Sequence, residues 1–186
     1  MSAPPAPYDP RRIFMFKLPK FNVGSKGREI GTYAAGGLFA ASYFLLIDAA
    51  TLSSRAKPPP DAPHDIIPVH MSFVDWIPAI FSTLGFLITS LLDKSHLHAY
   101  GSDAWGNEGS IAWRARAVLF VGVALMAGGL AGSLTVLILK YMIPGFNEYA
   151  YYGGANVGMN GGVMLSAIVL WIAQSASDEY RYELTL

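Results

Sequence analysis

The sequence predicts an all-α membrane protein, a four-transmembrane-helix bundle with cytosolic N- and C-termini. Three observations carry that prediction. The first is Ala117 to Leu139, AVLFVGVALMAGGLAGSLTVLIL, a charge-free run bracketed by Arg114 and Arg116 before it and Lys140 after it. At 1.5 Å per residue it makes a helix of about 34 Å, enough to cross a hydrocarbon core of about 30 Å with slight tilt. The second is composition: charged residues are 14% and hydrophobic residues 53%, against about 25% charged in ordinary soluble domains. The third is that three more apolar runs flank the first, each closed by polar or prolyl sequence.

Residues 1–29 form a basic, proline-containing segment expected in the cytosol. Met1 to Pro10 holds too many prolines to start a helix. Arg11 to Lys20, RRIFMFKLPK, interleaves Arg11, Arg12, Lys17 and Lys20 with apolar and aromatic residues. Such a stretch either lies on anionic headgroups or simply flanks the first span and sets its topology. The first thirty residues lack the apolar core and small-residue cleavage site of a signal peptide, so the first span is expected to do the targeting.

The membrane domain is expected over 30–176. Its first span, about 30–52, presents small residues from Gly31 to Ala41 and ends in YFLLIDAA, with Asp48 near its exit. A prolyl loop follows. The second span, about 71–92, has Trp76 at the interface and Pro78 in its first turns, where a missing donor costs least. A hydrophilic loop, DKSHLHAYGSDAWGNEGS, leads to the third span at about 115–141. The turn Ile143-Pro144-Gly145-Phe146 opens the fourth, about 150–175, and a short acidic tail occupies 177–186.

Four crossings put both ends on one side. Ten of the thirteen Lys and Arg residues fall on that side; only Arg55, Lys57 and Lys140 fall on the other. The positive-inside rule then places both termini in the cytosol.

Small residues let helix backbones approach in lipid, where helices gain nothing from the hydrophobic effect on meeting. Gly154, Gly158 and Gly162 on the fourth span, and Gly128 and Gly132 on the third, are therefore the candidate packing positions, against each other or against a partner. Asp48 is the candidate intramembrane acid. It is counted as having no second acid in another span, and is expected either to pair with His70, Lys140 or Arg55 or to snorkel to the rim, rather than to relay protons or ions. Asn156 and Asn160, four residues apart, are expected to make interhelical hydrogen bonds or to line a small polar cavity. Arg114 and Arg116 suit lipid headgroups or topology.

Other functions find little footing. Zero net charge excludes a strongly basic nucleic-acid binder, and the lack of cysteine excludes thiol and cysteine–metal chemistry. No phosphate-binding loop, nucleophile elbow or HExxH occurs. His96-x-His98 beside Asp93 is too sparse for a metal site. No catalytic residue, cofactor or metal is expected.

Several stretches together resemble one known group. GGLFAASYFLLIDAA, from Gly36 to Ala50, is similar to the first span of the family containing fungal vacuolar protein sorting-associated protein sixty-eight and animal transmembrane protein fifty. ARAVLFVGVALMAGGLAGSLTVLIL, from Ala115, resembles that family's third span. The likeness covers about Gly31 to Gln174, and its prolyl loop and HMSFVDW entry to the second span look fungal. The resemblance implies a non-catalytic membrane subunit of late endosome to vacuole traffic, resident in late endosome or vacuole membrane. It further implies a partner of the four-span vacuolar protein sorting-associated protein fifty-five type, with room for a larger hetero-oligomer. The rival reading is a small ion or proton channel or transporter using Asp48 with the Asn156 and Asn160 face.

Overall fold

The computed structural model describes residues 25–58, 67–92 and 108–183; side chains are described for 26–58, 67–92 and 113–174. Four long helices account for nearly all of them: α1 (Ser25–Arg55), α2 (Phe73–Leu91), α3 (Glu108–Val136) and α4 (Ala150–Glu183). Each contains a stretch long and apolar enough to cross a membrane. No strand occurs among the described residues. The helices outrun the apolar segments. α1 starts at Ser25 and α3 at Glu108, because polar flanks have no reason to break a helix once it is nucleated.

Leu137–Met142 continues α3 in π-helical geometry, with the Ile143 N–H donating to the Ile138 carbonyl at 2.9 Å. The chain then reverses within a few residues. Gly145, at φ +82°, makes that reversal possible, since this left-handed backbone favours glycine. A 3₁₀ turn at Asn147–Tyr149 feeds α4.

The helices pack as two close antiparallel pairs, α1 with α4 and α2 with α3, joined by both α2 and α3, with its π-helical continuation, lying on α4. α1 reaches α2 through long side chains: Phe39 stacks on Phe86 with centroids 4.8 Å apart, and the Tyr43 and Thr83 hydroxyls hydrogen-bond. Gly31 of α1 lies against Ala173 of α4, so the start of α1 and the last turns of α4 share one end of the bundle. That end, which also takes the α2–α3 connection, is termed the tail end. The other, with the α1–α2 connection and the α3–α4 turn, is the loop end.

Glycines set the close approaches, but not in the pairing expected. The third- and fourth-span glycine faces do not meet each other. Gly158 and Gly162 of α4 lie against Leu45 and Ser42 of α1, and Gly132 of α3 faces Pro78 of α2 at 3.6 Å. A side chain at Gly128 or Gly154 would meet nothing, whereas the adjacent Gly129 and Gly153 are tightly packed. A Cβ on Gly129 would strike Ser82 and come within 2.7 Å of the Pro78 carbonyl; one on Gly153 would come within 2.6 Å of Leu137.

Candidate functional site

The polar residues inside the bundle gather at the loop end around Asp75. The N-terminal turn of α2 creates the arrangement. Ser72 is the N-cap, and its N–H donates to Asp75 Oδ2 at 2.6 Å, the reciprocal half of a capping box. The Ser72 hydroxyl donates to the same oxygen at 3.1 Å. Asp75 is 1% exposed, and a carboxylate so buried needs a counter-charge. Lys140, one π-helical turn from the end of α3, supplies it, with Nζ 2.5 Å from Asp75 Oδ2 and 3.1 Å from the Ser72 hydroxyl.

Consecutive residues of α3 serve this one carboxylate. The Tyr141 hydroxyl donates to Asp75 Oδ1 at 3.3 Å, and Tyr141 is fully buried. The wider π turn admits both neighbours to the same target; such insertions frequently mark functional positions.

The network continues into α4. Asn156 Nδ2 donates to the Asp75 backbone carbonyl at 2.7 Å. Asn160 Nδ2 donates to the Asn156 carbonyl at 2.8 Å and to its Oδ1 at 3.0 Å. The Ser82 hydroxyl of α2 in turn donates to Asn160 Oδ1 at 2.5 Å. Lower down, Ser166 of α4 donates to the Ala35 carbonyl of α1 at 2.7 Å. Among the described residues every buried side-chain nitrogen and oxygen has a partner, as an environment without water requires. A cluster of Ala49, Val69, Tyr141, Tyr152 and Ala155 packs beside the polar groups at this end.

Asp75 is the residue the sequence reading missed. Counting Asp48 as the acid with no counterpart in another span is corrected by Asp75, which sits in the first turn of α2 and is buried. Ser72-x-x-Asp75 ahead of an apolar run was the available signal. The expected partners of Asp48 are corrected too. Lys140 belongs to Asp75, while His70 Nδ1 lies 3.0 Å from the Ser53 carbonyl. Asp48 itself is exposed, and its Oδ2 accepts from the Tyr151 hydroxyl at 2.7 Å.

Asp48, Asn156 and Asn160 therefore do not converge. The amides face α2 within the bundle, and Asp48 lies on the outer flank of the α1–α4 pair. Gly37 and Ala41 precede it by eleven and seven residues on one helical stripe, and Gly154 follows Tyr151 on α4; all are exposed. Arg114 and Arg116 are exposed at the start of α3. Arg11, Arg12, Lys17 and Lys20 lie outside the described residues, as do His96, His98 and Asp93. No group of three metal-ligating side chains occurs among the described residues.

Comparison with known proteins agrees over nearly the whole chain. Residues 9–180 match the model of an uncharacterised protein family, UPF0220. The chain is 42% identical over 184 residues to vacuolar protein sorting-associated protein 68 of Saccharomyces cerevisiae, covering 93% of this chain and 94% of that one. It is 41% identical to UPF0220 protein C8D2.02c of Schizosaccharomyces pombe, covering 94% and 96%. It is 23% identical to the transmembrane protein 50 homolog of Dictyostelium discoideum, covering 80% and 91%. No solved structure matches.

Proposed function

The chain belongs to the UPF0220 family, and from that premise we propose that it is an integral protein of endomembranes that serves vacuolar protein sorting. In this reading it is a non-catalytic subunit of an endosomal complex in late endosome to vacuole traffic, both termini are cytosolic, and its partner is another small four-span membrane protein. The name of the budding-yeast relative, a vacuolar protein sorting-associated protein, supports the process. The structural support is the outer flank of α1 and α4. Gly37 and Gly154 have open space where a side chain would be, and Asp48, three turns along the same stripe of α1 from Gly37, is a carboxylate on that outward surface with Tyr151 as its donor. An ionisable group there is costly until a second helix covers it.

The test is affinity purification at native expression in mild detergent, with co-purifying proteins identified by mass spectrometry. A second small four-span protein in near-stoichiometric amount is expected. Gly37→Leu and Gly154→Leu should reduce its recovery without lowering the thermal stability of this chain, since neither side chain would collide within the bundle. Recovery of this chain alone from well-expressing membranes sinks the complex. Full recovery with both variants removes this flank as the docking face. The channel reading is weaker, because Asn156 and Asn160 are committed to bonds inside the bundle and Asp48 lies outside it.

A further inference from the structure

α2 is the shortest of the four spans. It has nineteen residues, about 28 Å, where the membrane-spanning stretches of the other three have twenty-eight to thirty residues. Both of its ends are fixed. At the loop end Ser72 caps it with extended backbone, and the Lys140 ammonium lies against its first turn. At the tail end Leu92 is extended, and the next residues in sequence are Asp93 and Lys94. α3 marks the same level. Gly122 lies against Gly85 and Thr89, so six residues along this antiparallel helix the exposed Arg116 is level with the chain just past Leu91. α4 gives the last turn of α2 little cover. It stands back across an open-sided, largely apolar cavity of about 420 Å³ bordered by Phe86, Thr89 and Ser90.

Between these ends α2 turns outward a stripe of bulky side chains, Phe73, Ile77, Phe81, Leu84, Leu87 and Leu91, all exposed. Its small and polar residues, Ser82 and Gly85 among them, face the bundle. Helices in lipid meet at small residues, so the bulky stripe is a lipid face. The carbonyls of the last turn have no partner within the helix and need water or headgroups, which hydrocarbon does not supply. The lipid core beside α2 therefore ends where α2 ends. Tilting only lowers the height that a helix of fixed length covers. Longer helices such as α3 and α4 fit a thin core by tilting, whereas a short one fits a thick core only where the lipid deforms.

We infer that α2 fits this bundle to thin bilayers, its lipid face matching phospholipid with a hydrocarbon core of no more than about 28 Å. A sterol-rich core of about 32–33 Å exceeds it by about 4–5 Å. The match needs no partner protein.

The probe is a series of phosphatidylcholine bilayers whose chains are myristoleoyl, palmitoleoyl, oleoyl, eicosenoyl or erucoyl, in order of increasing thickness. The purified full chain is reconstituted in each, and thermal unfolding is followed by loss of helical circular dichroism. The melting temperature should peak in oleoyl lipid or a shorter one and stand about 2–4 °C lower in erucoyl lipid. A peak in eicosenoyl or erucoyl lipid overturns the proposal, and so does a melting temperature that ignores chain length. Neither result depends on a variant folding. A second arm asks whether α2 sets the limit. Inserting Leu-Ala-Leu-Leu after Leu91 lengthens the helix by about 6 Å and should move the peak to eicosenoyl or erucoyl lipid. A folded variant whose peak stays in place removes α2 as the limiting span.

Discussion

The two ends of this bundle are built from the same helices and held in opposite ways. At the loop end a buried carboxylate, a lysine, a tyrosine, two asparagines and a serine form a connected set of bonds that fixes α2, α3 and α4 relative to one another. At the tail end the same three helices line a cavity, and their hydroxyls turn back onto their own helices. In lipid, apolar contact alone does not distinguish a helix neighbour from an acyl chain, so polar bonds and close glycine contacts decide where helices stay together. The difference lies in where α4 stands: at the tail end α2 and α3 still approach closely at Gly85 and Gly122, while α4 is set back from them across the cavity.

The sharpest way to break this contrast is to unpair Asp75. Lys140→Met leaves a carboxylate that is 1% exposed without its cation, and a loss of about 3–5 kcal/mol is expected. Unfolding of the purified protein in mixed detergent would measure it. Asp75→Leu combined with Lys140→Met should recover much of that loss. A double variant as unstable as the single one would show that the pair does more than neutralise itself.

A smaller effect separates two adjacent glycines. Gly129→Ala forces a methyl into Ser82 and the Pro78 carbonyl and should cost about 1–3 kcal/mol. Gly128→Ala meets nothing and should leave the melting temperature unchanged or raise it, since alanine is the better helix former. Equal effects from the two would mean that α3 presents a different face to α2.

Next comes Asn160→Leu, which removes the bonds to Asn156 and Ser82. A cost of about 0.6–1.7 kcal/mol is expected, from the average to the largest worth of a hydrogen bond between membrane helices, here the one to Ser82. The smallest change should come from the tail end. Val123→Ala widens a wall that already borders open volume, so thermal unfolding should shift less than for any loop-end variant. A large loss there would contradict a loosely held end.

Much of the fold was legible because a membrane span is a one-dimensional signal. Its length and lack of charge can be read without knowing what it touches, and each of the four runs falls on a helix long and apolar enough to cross a membrane. The pairing of helices was not legible. Gly128-Gly129, Gly153-Gly154 and Gly161-Gly162 each offer two adjacent faces, and in each doublet one member is packed and the other open. A four-residue glycine spacing cannot choose between those faces; the neighbouring helix does.

Asp75 was hidden for a related reason. It lies in the first turn of α2, where the sequence looks like the polar entry to a span, and its partners Lys140 and Asn156 are 65 and 81 residues further on. The cavity depends on where α2 stops relative to α3 and α4, a relation between helices that no single stretch displays.

The order in which the chain is made gives the Asp75–Lys140 pair one more consequence. Synthesis delivers α2 first, and its acid has no cation until a further 65 residues have been translated, roughly 3–13 s at ordinary rates. During that interval a lone carboxylate at the rim of a nascent span is a reason for α2 to wait beside the insertion machinery. The arrival of Lys140 with α3 removes that reason. The two helices are therefore expected to enter the bilayer together as a hairpin, and Lys140→Met should uncouple their insertion.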